Sequence, residues 1–77
     1  MRVTYDRSAD AAYIYLVDSI EPGEAVCNGR CVVDDQTRKI YGMINLDFDR
    51  FGRLLGIEAI NASLVLRPEL LQQAVRR

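Results

Sequence analysis

Five carboxylates, Asp6, Asp10, Asp47, Asp49 and Glu58, are the side chains best placed to do chemistry. If the strand carrying Tyr5 lay beside the strand carrying Asp47, several of them would converge on a hard cation such as Mg²⁺ or Ca²⁺. Acid/base work of the glycosidase kind would need two carboxyls about 5–10 Å apart in a cleft. That is the case for a metal-assisted or carboxylate-based hydrolase. A simpler account fits the spacing better. Asp6, Asp10 and Asp49 stand among turn-forming residues and are suited to hold nearby backbone N–H groups. Glu58, on an otherwise apolar strand, is suited to pair with Arg53 or another arginine. No metal-binding loop has this spacing, so no catalytic residue, metal ligand or cofactor is expected. Histidine is absent, which removes every Ser-His or Cys-His nucleophile.

Two cysteines, Cys27 and Cys31, flank Asn28-Gly29. Asn-Gly is the strongest short hairpin signal, because both central residues of a type I′ turn need positive φ. A hairpin with arms Glu24–Cys27 and Arg30–Val33 would send the two sulfurs to opposite faces, so no disulfide is expected. Reduced thiols and the absence of an apolar leader point to the cytoplasm. Lys39, the only lysine, and Ser8 and Ser63 have no motif around them. The arginines are unevenly spread: residues 1–49 carry nine acids and five bases (−4), and residues 50–77 two acids and five bases (+3). Arg50, Arg53, Arg67, Arg76 and Arg77 are a modest basic set without an aromatic RNA motif, and the whole chain has a net charge of −1. Neither nucleic acid nor an anionic membrane is an expected partner.

The elements that must position these residues are read from periodicity. Val3–Tyr5 is a short strand and Asp6–Asp10 a polar turn. Ala12–Val17 is an unbroken apolar strand of the kind normally covered on both faces. Pro22-Gly23 and Asp34–Thr37 mark turns. Over residues 40–48, Ile40, Gly42, Ile44, Leu46 and Phe48 share one face, while Tyr41, Met43, Asn45 and Asp47 take the other. Asp49–Gly52 turns the chain into a strand over Arg53–Ile60. After Asn61-Ala62-Ser63, Pro68 starts an amphipathic helix over about 67–76, with Leu70, Leu71, Ala74 and Val75 on one stripe. The fold class is α+β: a curled, mainly antiparallel sheet of about five or six strands, within residues 2–60, with one short C-terminal helix packed on it. At 77 residues, the chain forms a single domain with a small core.

One short helix cannot cover both faces of such a sheet. Tyr13, Tyr15 and Val17 oppose Ile14 and Leu16 on one strand, and both sets need shelter. Either the sheet curls around its own interior or another molecule covers it. Tyrosines suit such a contact, being large and amphipathic. Tyr13, Tyr15, Val17 and Tyr41, with Leu70 and Leu71 of the helix, are the candidate interface, and a homodimer or a small protein partner is expected.

Two blocks carry a family resemblance. The first is Tyr5-Asp6-Arg7-Ser8-Ala9-Asp10-Ala11-Ala12-Tyr13-Ile14. The second runs from Asp47-Phe48-Asp49 through Gly52-Arg53 and Gly56-Ile57-Glu58 to Ala62-Ser63. Together they resemble the small bacterial proteins grouped as domain of unknown function 2283. The resemblance implies a compact, mainly antiparallel domain with a short C-terminal helix and no established activity. It also implies an antitoxin-like or accessory role, since some relatives are encoded beside small toxin-like proteins.

Overall fold

The computed structural model describes the backbone of residues 1–35 and 40–76 and the side chains of 1–30 and 42–75. The turn expected over Asp34–Thr37 therefore lies largely outside the described residues, as do Lys39, the side chain of Tyr41 and Arg77.

The chain begins as an antiparallel pair, β1 (Arg2–Asp6) and β2 (Ala11–Tyr15). The turn between them is built by aspartates. Asp6 Oδ1 accepts the N–H groups of Ser8 (3.0 Å) and Ala9 (3.3 Å), while Asp10 takes a left-handed φ of 50°. A short polar side chain tolerates that conformation better than most. β2 stops at Tyr15, two residues before the expected end. Leu16 donates one last N–H to the Leu55 carbonyl, and the chain then leaves the sheet.

The next strand corrects the expected Asn-Gly hairpin. β3 (Cys27–Asp35) runs straight through Asn28-Gly29 and pairs with β4 (Ile40–Phe48) from Cys27↔Phe48 to Asp35↔Ile40. Among described glycines only Gly23 and Gly52 have positive φ, so no type I′ turn forms at Gly29. The local preference loses to a nine-residue ladder, in which Gly29 lies beside Leu46 and Phe48. Cys27 and Cys31 are thus four residues apart on one strand, about 13 Å along the backbone and too far to bridge.

β4 turns at Asp49–Gly52 into β5 (Leu54–Ile60), with a bulge at Asp47/Phe48. Asp49 Oδ1 accepts the N–H groups of Phe51 (2.8 Å) and Arg53 (2.9 Å). β5 then pairs with β2.

The tail differs most from expectation. In place of one helix over 67–76 there are two short ones, α1 (Ala62–Val65) and α2 (Pro68–Gln72), and a two-residue strand, β6 (Val75–Arg76). Pro68 starts α2 as anticipated. However, Gln73 and Ala74 donate back to Leu70 and Leu71, and Val75 joins the free edge of β1 in parallel. β-branched Val75 gains a ladder partner there that a further helical turn would forgo.

The result is an α+β fold with an open six-stranded sheet, β3-β4-β5-β2-β1-β6, antiparallel except for β6. Its core is made mostly of small residues, with Leu55 the one large side chain buried among those described. Ala12, Ala59 and Ala62 are almost wholly buried, with Tyr5, Ile44, Val65, Leu66 and Leu71 packed around them. A Cβ on Gly42 would collide with Val65 of α1. Alanines and a glycine on the sheet let α1 sit close on this face, with Leu71 of α2 packed at the margin of the cluster. Leu71, expected at an interface, is spent here, and Leu70 is half-buried beside it.

Candidate functional site

The helices pack on one face of the sheet, α1 against β4 and β5. The register lays out the other in rows: Arg2, Tyr15, Gly56, Asp47 and Asn28 in one, and Thr4, Tyr13, Glu58, Asn45 and Arg30 in the next. These two rows are polar and knit by their own side chains, whereas the following row, Asp6, Ala11, Ile60 and Met43, is mostly apolar. Tyr13 leans diagonally across Gly56, where a Cβ would meet its Cε1 and hydroxyl at 2.5 Å. Its hydroxyl donates to Asp47 Oδ2 at 2.7 Å. Asn45 Nδ2 donates to Glu58 Oε1 at 2.9 Å, so Asn45 meets the carboxylate for which Arg53 or another arginine was the expected partner. Tyr13 and Tyr15 rings lie 4.7 Å apart at 56°, and the Arg2 guanidinium sits 4.1 Å above Tyr15. The sequence of contacts Arg2–Tyr15–Tyr13–Asp47 crosses four strands.

Burial is the main reason the Tyr13 phenol is raised above the ordinary tyrosine range, followed by its hydrogen bond to Asp47 and the charge of that carboxylate. Tyr13 is thus held as a neutral donor. Thr4, opposite Tyr13, has its Oγ1 out of water and without a hydrogen-bond partner. A shallow depression of about 130 Å³ opens among Thr4, Asp6, Ala11, Tyr13, Tyr15 and Glu58.

The five candidate carboxylates divide into two groups. Asp47 and Glu58 are diagonal neighbours on this face, each accepting from a neutral donor. Asp6, Asp10 and Asp49 are engaged in turns. Asp10 does more than close its own turn. Its carboxylate accepts the Tyr5 hydroxyl (2.7 Å), the Ser63 N–H (3.0 Å) and the Ser63 hydroxyl (2.6 Å), and its carbonyl accepts the Ala62 N–H (2.9 Å). It therefore caps α1 and fastens it to the β1–β2 turn. The Ser63 hydroxyl, and after it Tyr5, hold the Asp10 carboxyl below its ordinary value. Among the described residues no three His, Cys, Asp or Glu side chains are grouped to hold a metal ion.

Of the expected interface residues, Tyr13 and Tyr15 lie together on the helix-free face and Val17 is exposed beyond the end of β2. The residues that sequence reasoning missed are Asn45 and Thr4, with the tie from Asp47 to Tyr13. The alternation in residues 40–48 puts Asn45 and Asp47 on one face, but only the strand order brings that face to Tyr13. The described arginines of the basic set fall on separate elements: Arg50 and Arg53 by the β4–β5 turn, Arg67 before α2, and Arg76 on β6. No helix among the described residues is long and apolar enough to cross a membrane.

No curated protein and no solved structure matches the chain. One family model does, over residues 2–63. The match runs from the first strand to Ser63, and so spans the Asp10–Ser63 tie and every described residue of the tyrosine face. The chain belongs to that family, DUF2283, described as a protein of unknown function.

Proposed function

We propose that the protein is a non-enzymatic interaction module of the cytoplasm, an accessory or antitoxin-like partner that takes an extended segment of another small protein along the outer edge of β3. The observation that carries this reading is the asymmetry of the sheet margins. β1, at one side, is blunted by the two-residue β6, whereas β3 is nine residues long and, among the described residues, pairs only with β4. An open edge of that length is a template for strand addition, where main-chain hydrogen bonds supply affinity. Cys27–Asp35 contains neither proline nor lysine, the residues that most often guard such an edge. Asn28 and Arg30 of β3 stand at the edge end of the two polar rows and supply side-chain contacts there; Tyr13 and Tyr15, on β2, lie three strands away. The carboxylates do not favour a hydrolase, since Asp6, Asp10 and Asp49 are committed to turns and Asp47 and Glu58 are each engaged by a neutral donor of the same face, Tyr13 and Asn45.

Amide hydrogen exchange on the complex with the captured native partner tests the reading. Slowed exchange confined to alternate amides of residues 27–35 is the expected result, because only every second residue points its N–H outward. Protection centred on α2 and β6, with β3 unchanged, would overturn it.

A further inference from the structure

Most of the exposed apolar side chains among the described residues are gathered at one end of the sheet. β2 ends, β3 begins, β4 ends and β5 begins at this same end. To pass from Tyr15 to Cys27, residues 16–26 must cross the ends of β5 and β4, and so arch past the β4–β5 turn. Among the described residues, five of the seven exposed large hydrophobics are here: Met1, Leu16, Val17, Val26 (59% exposed) and Phe51 (68%). Between arch and turn lies an open concavity of about 390 Å³, walled by Pro22, Val26 and Phe51 with Glu21, Glu24 and Arg50.

Charge is divided across it. The arch carries Asp18, Glu21 and Glu24, and no base occurs between Arg7 and Arg30. The turn carries Arg50 and Arg53, with guanidinium carbons 4.9 and 5.8 Å from the centre of the Phe51 ring, beside a single acid, Asp49, which also lines the concavity and whose Oδ1 accepts two N–H groups of the turn. Both walls are pre-shaped. Glu24 Oε1 accepts the Glu21 N–H at 3.0 Å while the Glu24 N–H returns to the Glu21 carbonyl, and Asp49 holds the opposite turn. Little ordering is then left to oppose association.

We propose that this end is a homodimer interface, occupied by a second copy of the chain in a two-fold arrangement. An apolar strip with an acidic flank and a basic flank is self-complementary. A two-fold rotation sets the arch of one copy on the arginine turn of the other, twice, and buries Phe51 and Val26 between them. A net charge of −1 does not oppose such pairing. The dimer leaves both β3 edges open, so it stands or falls independently of strand addition.

The full chain is examined by sedimentation equilibrium at high micromolar concentration, with circular dichroism reporting the sheet. The wild type is expected to be a dimer. Phe51→Asp is expected to weaken it at least ~100-fold, because two rings are lost per dimer, and its spectrum should be unchanged because Phe51 is exposed. Arg50→Glu/Arg53→Glu and Asp18→Arg/Glu21→Arg should each be monomeric alone and form a dimer only when mixed, since the mixed pair restores opposite charges at both contacts. A monomeric wild type, a dimer that survives Phe51→Asp, or charge-swapped chains that stay apart on mixing would each overturn the proposal.

Discussion

The two faces of the sheet meet the same steric problem and resolve it differently. Each carries a glycine roofed by a larger side chain: Gly42 beneath Val65, and Gly56 beneath Tyr13. On the covered face the roof comes from a helix, and the layer below is Ala12 and Ala59. On the other face the roof is a neighbouring strand's own tyrosine, tied down by Asp47. An apolar face needs a separate element to exclude water. A polar face can close over itself, because its hydroxyls, amides and carboxylates satisfy one another and tolerate solvent. The sheet therefore needs no second helical layer, and the exposed apolar excess falls at one end.

The covered face should be the less forgiving. Ala59 has no exposed surface and sits between Ala12 and Ile44 in the register. Ala59→Leu adds three carbons where α1 has no room, and should cost about 3 kcal/mol in chemical denaturation. A loss below ~1 kcal/mol would mean that the helices ride loosely, and the contrast between the faces would fail.

Asp10 fixes the helical layer in place, so its removal ranks next. Asp10→Ala leaves the Ser63 N–H and the Tyr5 hydroxyl without their acceptor and should cost about 1–2 kcal/mol. The effect has a pH signature. A carboxyl held below its ordinary value of 3.8 stabilises the fold above that value, and the contribution is lost as pH falls through the lower, folded-state value. Acid titration of stability should be shallower in Asp10→Asn than in the wild type below about pH 4. Parallel acid curves would deny Asp10 this role.

How much of this was legible in the sequence depends on the reach of each interaction. The Asp49 turn and the alternation of Ile44, Leu46 and Phe48 against Asn45 and Asp47 are local patterns, and they read directly. The Asn28-Gly29 signal is local too, but it was outweighed by a ladder whose other strand lies more than ten residues on. Asp10 read as a turn former, which it is. Its tie to Ser63 spans 53 residues, and that from Tyr13 to Asp47 spans 34, so neither shows in any window of sequence. The tail misled because Leu70, Leu71, Ala74 and Val75 keep helical spacing, while the edge that captures Val75 belongs to the first strand of the chain.

The helix-free face should yield more gently. Gly56→Ala forces the Tyr13 ring away from its seat and should cost about 1 kcal/mol. In a Tyr13→Ala background the same substitution should cost almost nothing, since the ring that it meets is gone. Displacing Tyr13 also returns its phenol toward the ordinary value of 10.0, read in the ultraviolet tyrosinate band. A raised phenol stabilises the fold below that ordinary value, and the contribution disappears as pH rises through the folded-state value. Wild-type stability should therefore decline faster at strongly alkaline pH than that of Tyr13→Phe. Equal costs for Gly56→Ala in both backgrounds would show that Tyr13 does not roof the glycine.

The smallest effect has the opposite sign. Thr4 Oγ1 is out of water with no partner, so a face otherwise knit by hydrogen bonds contains one group that gains nothing from being polar. Burying an unsatisfied hydroxyl costs free energy, and an apolar isostere removes that cost without changing shape. Valine matches threonine in branching and strand preference. Thr4→Val should raise stability by about 0.5 kcal/mol, seen as a higher denaturation midpoint with an unchanged slope. Were the variant instead destabilised, the hydroxyl would have a partner on this face. The depression beside Tyr13 and Glu58 is the place to look for it, because a group bound there would be the nearest one to Thr4 that the chain does not itself supply.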